Sequence, residues 1–263
     1  RIVIDQEPGD DAQTQFYGLG AIPYGAYEIG TLWIYHTEED DLGFNKMHGH
    51  QYPELVYTRT GYAWHRASLG APWIKLGEPG SWKWGMIQPA SSPVILEDEI
   101  RFYYVGIRTE HGIRDYHGIE PRCGIGFASV APDRFIGVSA SGEGHILTRP
   151  FWIHSPQFWV NANVSHGGQV HIEVDDITGK PIEGFELENC EPITGDSIRH
   201  QVFWRASPER FVPTDREIRL RVRARKGALY SLAAGSEAEP PTHWRFEIPG
   251  FLSMEQERRQ SEL

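Results

Sequence analysis

An all-β protein is what this sequence predicts, and three observations predict it. Aromatic residues are plentiful, 9 Trp, 11 Tyr and 12 Phe in 263 residues, alongside 28 Gly and 18 Pro. Strands favour the former and turns the latter. Short runs alternate polar and apolar residues, as in Gln169-Val170-His171-Ile172-Glu173-Val174, the period-2 signature of a half-buried strand. Successive runs are joined by turns rather than helical crossovers, so the pairing should be antiparallel. The length suits one large β domain or two ordinary ones.

In the first half, Arg1–Ile4 reads as strand-like and leads into an acidic loop, Asp5–Asp11. After Thr14–Gly18 and Ala21–Tyr24 comes Glu28–Tyr35, whose Ile29, Leu32, Trp33, Ile34 and Tyr35 predict a strand buried on both faces. A polar loop over 37–51 precedes the hairpin Tyr52–Arg66. Its turn falls at Thr60-Gly61, where glycine tolerates positive φ, and Trp64 packs back as an apolar anchor. A turn glycine followed three residues later by Trp is how many β-propeller blades join two strands. Residues 70–93 are loop-rich and carry Trp73, Trp82 and Trp84. The strands 99–106 and 124–130 flank an irregular loop bearing Glu110, His111, Arg114, Asp115, His117 and Glu120. Residues 131–135 then turn into Ile136–Ala140.

The character changes near Gly142–Gly144. Beyond it, 158–164, 169–174, 197–204 and 217–225 read as longer strands, with 228–232 as another. Asp175 and Asp176 read as turn formers. This half predicts an antiparallel β-sandwich over 142–248, followed by a charged tail over 249–263, a short helix or a frayed end.

The formal net charge of -11, without a Lys/Arg-rich run, argues against nucleic acid. An acidic, aromatic-rich surface suits neutral polar ligands such as carbohydrate, and equally suits plain solubility. No apolar run reaches membrane-spanning length and none reads as a signal peptide. The chain opens at Arg1 as if cut from a longer polypeptide; localisation is left open, with a secreted or periplasmic setting preferred. Cys123 and Cys190 read as free, buried thiols, with a mutual disulfide as the lesser alternative.

Several pieces, in order, carry a family resemblance: Thr14–Gly18, Ile29–Trp33, the hairpin Tyr57–Arg66, Tyr103–Gly106 with His111, and Asp133-Arg134-Phe135. In the second half they are Leu147–Phe151, Asn161, Gly179–Phe185, Cys190, Gly195-Asp196, Trp204 and Leu229-Tyr230. On these the chain resembles the C-terminal part of bacterial proteins similar to glycoside hydrolase families 32 and 43, which pair a five-bladed β-propeller with a C-terminal β-sandwich. One departure is plain: Thr58 and Thr60 stand where the hairpin usually carries Ser and Asp. The resemblance implies that 1–141 forms the later blades of a partial propeller. A blade takes roughly fifty residues, so 1–141 supplies two and a half to three of them. A missing N-terminal half or a partner chain would complete the ring, since a cut propeller exposes unpaired edges. It further implies hydrolysis of glycosidic bonds in an oligo- or polysaccharide by paired carboxylates. The alternative is a non-catalytic carbohydrate-binding or assembly subunit.

Glu54 and Glu28 are the candidate catalytic carboxylates in this chain, although a solvated strand-end role for Glu54 and a structural role for Glu28 are the preferred readings. Gln15, Tyr17, Trp84, Gln88 and His111 are the candidate substrate contacts. Gln offers a donor and an acceptor, and Tyr an apolar face with a polar tip. His111 matches a histidine of the resembling group, where a central His binds substrate or a cation. Trp82 and Trp84 read equally well as sugar platforms or as packing. His48 and His50 lack the further ligands of a transition-metal site. No cofactor is expected, with calcium at Asp10 and Asp11 the one ion kept in view.

Overall fold

The structure, a computed structural model, describes residues 1–37, 48–112, 120, 122–164, 167–206 and 211–235, and these are all-β without helix. The loop residues Arg114, Asp115 and His117 and the charged tail lie outside the described residues. No helix is long and apolar enough to cross a membrane among the residues described. The described chain packs as two units, 1–96 with 101–129, and 97–100 with 130–235.

The first unit is built on a curled half-barrel sheet. Its strands are β1 (Thr14–Tyr24), β2 (Tyr27–Thr37), β3 (Gly49–Thr58), β4 (His65–Arg66), β5 (Met86–Pro89), β6 (Val94–Ile95), β7 (Ile100–Ile107) and β8 (Cys123–Val130). The order is β1-β2-β3-β5-β7-β6, with β4 on β3 and β8 on β7. The β1–β2, β2–β3, β3–β4 and β5–β7 pairs are antiparallel, and the β3–β5 contact, Gln51 to Met86, is parallel.

Register sorts the side chains of β1–β3 onto two faces. Gln15, Tyr35 and Gln51 stand in one cross-strand row, and Gly18, Trp33 and Pro53 in the next row on that face. We call this the front. Phe16, Ile34 and Tyr52 form a row on the back, beside Leu32 and Glu54. The back holds the small core of Leu32, Ile34 and Val56, sealed by Ile4, Phe16, Tyr52 and Trp64. A bulge between Phe16 and Gly18 adds Tyr17 to β1. The Trp33 ring lies against Gly18, where a Cβ would make an ordinary contact at 3.4 Å.

The hairpin turns as its glycine predicts: Gly61 has φ 69°, and Thr58 Oγ1 accepts the amides of Thr60 and Gly61 at 3.2 and 3.1 Å. Arg1–Ile4 is not a strand; Val3 instead accepts the Trp64 amide at 3.0 Å. Cys123, expected to be buried, is exposed, because β8 pairs with β7 and its alternate positions Cys123, Ile125 and Phe127 face outward.

The second unit contains β9 (Val138–Leu147), β10 (Phe151–Ile153), β11 (Gln157–Val164), β12 (Gln169–Asp175), β13 (Gly195–Gln201) and β14 (Arg216–Gly235). β14 spans 20 residues and joins the two runs read separately in the sequence. β9 runs beside both parts of β14, from Arg221 to Leu229; the first part also pairs with β10 and β12, and the second with β11. Between them lies a bulge at Arg225–Gly227, where Lys226 adopts φ 50°. Bulges of this kind bend a strand without ending it. β9 likewise runs straight through Gly142–Gly144, so the expected 141/142 boundary falls inside a strand, and the packing division lies at 129/130.

β11, β12 and β14 line a core with Phe158, Val160, Ile172, Phe185, Cys190, Ile218 and Leu220. Trp204 is its largest fully buried side chain and donates Nε1–H to the Ile172 carbonyl at 2.8 Å. Cys190 Sγ accepts the Ile172 amide at 3.2 Å, and burial pushes its thiol up to about 11. Asp175 is not a turn former: it is wholly buried and accepts Arg221 Nη2 at 2.9 Å. The turn belongs to Asp176, whose Oδ1 accepts the Thr178 and Lys180 amides.

Trp204→Ala should destabilise the second unit by about 3–5 kcal/mol, read as a fall in the midpoint of chemical denaturation followed by tryptophan fluorescence.

Candidate functional site

Two polar clusters occupy opposite faces of the β1–β3 sheet. On the back, Glu54 is completely buried in mid-strand. Arg66 reaches it with both prongs, Nε to Oε2 at 2.6 Å and Nη2 to Oε1 at 2.9 Å, and gives Nη1 to Asp10. Burial opposes the Arg66 charge, but the bonds from Glu54 and Asp10 outweigh it and raise the pKa. Burial likewise pushes the Asp10 carboxyl up, and Arg66 together with the Glu7 amide brings it below the usual aspartate value. Tyr52, beside them, is raised by burial and then by the Glu54 charge. Asp11 Oδ2 meets His36 Nε2 at 2.7 Å and Oδ1 accepts from Thr14 at 2.9 Å. Those bonds occupy the oxygens that a cation at Asp10 and Asp11 would need. No group of three or more ligating side chains that would hold a metal occurs among the described residues.

Glu54 is therefore neither solvated nor at a strand end; its carboxylate is consumed by a guanidinium. Glu28 pairs in register with Thr58, and Glu54 with Leu32. Four residues of extended chain separate the two glutamates, about 13 Å, beyond the 5–10 Å or so of a glycosidase pair.

The front face gathers a different set. The rings of Tyr17, Tyr35 and His111 meet in a triangle, with centroids 5.0 Å apart for Tyr17–Tyr35, 5.4 Å for Tyr17–His111 and 5.0 Å for Tyr35–His111. Burial, then the neighbouring Tyr17 and Glu110, raises the Tyr35 pKa. Gln51, next to Tyr35 in the cross-strand row, is fully buried, and its Oε1 accepts Gln88 Nε2 at 2.7 Å. Its own Nε2 has no partner among the described residues, and neither has Trp33 Nε1 on the same face. Leaving such donors buried and unmade costs about 1–3 kcal/mol each. Glu110, 3% exposed, accepts the Gly49 amide at 3.1 Å and lies 3.6 Å from His48 Nδ1. The His111 amide ties this loop to the Gly49 carbonyl at 3.0 Å. A Cβ on Gly85 would lie 1.9 Å from the Thr109 carbonyl oxygen, so glycine lets the two segments meet.

Of the residues singled out in the sequence, Gln15, Tyr17, Gln88 and His111 thus belong to one face of one sheet end. Trp84 stands apart, edge-on to His50 at 5.3 Å, whose side chain leaves β3 opposite to that of Gln51. Trp82 stacks on Tyr104 at 5.9 Å over the glycine stripe Gly106, Gly124 and Gly126, where each Cβ would meet its ring. Tyr35, Gln51, Glu110 and Trp33 were not singled out as contacts; counting by twos from Trp33 and from Leu55 would have put Tyr35 and Gln51 on the face of Gln15.

No protein-family model and no curated protein matches this chain.

In the second unit, residues far apart in sequence converge through Arg134. It donates Nε to Asn161 Oδ1 at 2.9 Å, reaches Asp196, and lies 4.9 Å over the Tyr230 ring. Asn161 donates to the Pro132 carbonyl at 2.7 Å, and Asp133 accepts from Ser231 at 2.7 Å. Every partner is a bond between strands and turns, which makes this network a fastening.

Arg66→Met should cost about 3–5 kcal/mol, because it strands two carboxylates in a buried setting. Because the folded Asp10 pKa is depressed, its contribution is present above about pH 4 and is lost as pH falls through the lower folded value. The stability gap between wild type and Arg66→Met should therefore narrow in denaturation curves taken from pH 5 down to pH 2. A gap constant across that range would contradict the assignment.

Proposed function

We propose that this chain is a carbohydrate-recognising protein of the glycoside-hydrolase-like kind it resembles, with its sugar contacts on the front face of β1, β2, β3 and β5. In this reading residues 1–129 supply later blades of a propeller that a further segment or chain completes, and 130–235 form most of its sandwich. The observation that carries the proposal is the amide pair of buried Gln51 and half-buried Gln88, with an unpartnered Gln51 Nε2, Gln51 standing in the same cross-strand row as Tyr35 and beside Tyr17 and His111. Amides and phenols present donors and acceptors to hydroxyl groups, and tyrosine faces pack on the C–H face of a sugar ring. The convergence of Arg134, Asn161, Asp196 and Tyr230, all among the residues that carry the resemblance, also supports it.

Recognition without hydrolysis is the reading the geometry favours, since Glu54 is neutralised by Arg66 and Glu28 lies far from it. A hydrolytic reading is kept for one reason: Glu110 is a buried carboxylate at the same sheet end, beside His48. It would need a second carboxylate from outside the described residues or from another chain.

The purified protein should bind at least one oligosaccharide class on a glycan array. Gln88→Leu, with an unchanged circular dichroism spectrum, should weaken that binding by about 2–10-fold, the value of one or two hydrogen bonds. If the bound glycan releases reducing ends in a Glu110-dependent manner, the hydrolytic reading replaces the binding one. An array with no bound glycan sinks both.

A further inference from the structure

The hairpin that organises the first unit also frames a depression of about 390 Å³, lined by Tyr27, Tyr57, Arg59, Thr60, Ala63 and His65. That volume lies in the range of small-ligand sites, about 300–1,000 Å³. It sits on the front face, at the end of β2 and β3 remote from Gln51 and Tyr35, because Tyr27 and Tyr57 share the alternation of Trp33 and Pro53.

Its chemistry is specific. Tyr27 and Tyr57 stand edge to face at 6.2 Å, and His65 tilts against Tyr57 at 5.5 Å. The Arg59 guanidinium lies 4.6 Å over the Tyr27 ring and donates Nη2 to its hydroxyl. A cation is thereby held in place by an aromatic ring, and no carboxylate pairs with Arg59 among the described residues. Glu28, the nearest acid in register, pairs with Thr58 and so belongs to the back face. A guanidinium fixed by stacking keeps its remaining N–H groups for a bidentate acceptor. In a protein of net charge -11, an exposed and unneutralised arginine between aromatic walls is a selective feature.

We infer that this depression binds a hexuronate unit, an acidic sugar whose carboxylate meets Arg59 while its ring packs on Tyr57 and His65. This deepens the carbohydrate reading above and rests on it for the choice of a sugar over another ring-bearing carboxylate. The carboxylate requirement itself rests on Arg59 alone.

The test is titration with digalacturonic acid, neutral galactobiose and benzoate, followed by calorimetry and by the side-chain NMR resonances of Arg59, His65, Gln51 and Gln88. Digalacturonic acid should shift the Arg59 and His65 resonances, weaken with added salt, and lose affinity about tenfold or more in Arg59→Gln. Galactobiose should bind there at least about tenfold more weakly. Equal affinity for the neutral sugar, unchanged binding in Arg59→Gln, or absence of shifts at Arg59 and His65 overturns the inference. Benzoate binding as tightly as the uronate overturns the sugar assignment. Glycan-induced shifts confined to Gln51 and Gln88 would defeat this inference and leave the proposed function standing. Shifts confined to Arg59 and His65 would uphold this inference and remove the Gln51–Gln88 pair from the proposed sugar contacts.

Discussion

The first unit depends on one guanidinium. Arg66 is the second residue of a two-residue strand, which by itself has little to hold it against β3. Its charge is clamped by Glu54 within the sheet and by Asp10 from the N-terminal loop, so a short hairpin arm and an irregular leader are fastened to the same point. Because neighbouring residues in a strand point oppositely, fixing Arg66 on the back face compels His65 onto the front. A buried ion pair adds little net stability over an apolar substitute, yet breaking one side of it is expensive. Its value here is positional, since it selects one register for β4 and thereby sets one wall of the Tyr27–Tyr57 depression.

The same alternation organises the other end of the front face. Gln15, Tyr35 and Gln51 share a row, and the bulge at Tyr17 brings a second tyrosine beside Tyr35. Glycine at position 85 permits a close approach that any side chain would block. The polar groups of this face are therefore placed by backbone register, with little freedom left to individual rotamers.

Much of this was legible in the sequence. The all-β class, the turn at Gly61 and strands such as β7, β11 and β12 follow from alternation and turn chemistry. Gln15, Tyr17, Gln88 and His111 were singled out for their hydrogen-bonding and stacking capacity, and they share a face. Glu54 was misread because the strand was taken to begin near it. β3 in fact begins at Gly49, which carries Glu54 into the interior, and its partner is twelve residues on, across a turn. Asp175 was misread in the same way, since Arg221 lies far off in sequence and only the β12–β14 register joins them. Gln51 was missed because 37–51 read as a loop, whereas β3 begins at Gly49; Glu110 was missed because a loop residue's burial is fixed by contacts between segments, which no local pattern records.

The long strand β14 has a consequence for the order of events as the protein is made. β9, β10, β11 and β12 each find a partner in it, so most of the second unit's ladders stay open until residues 216–235 have left the ribosome. Those earlier strands emerge with apolar faces and unpaired edges, a state prone to wrong pairings and to slow folding through distant contacts. The bend at Lys226 lets one late segment close both parts of the sheet together. The second unit should therefore assemble in a single late, cooperative step, with its earlier strands exposed to chaperones in the interval.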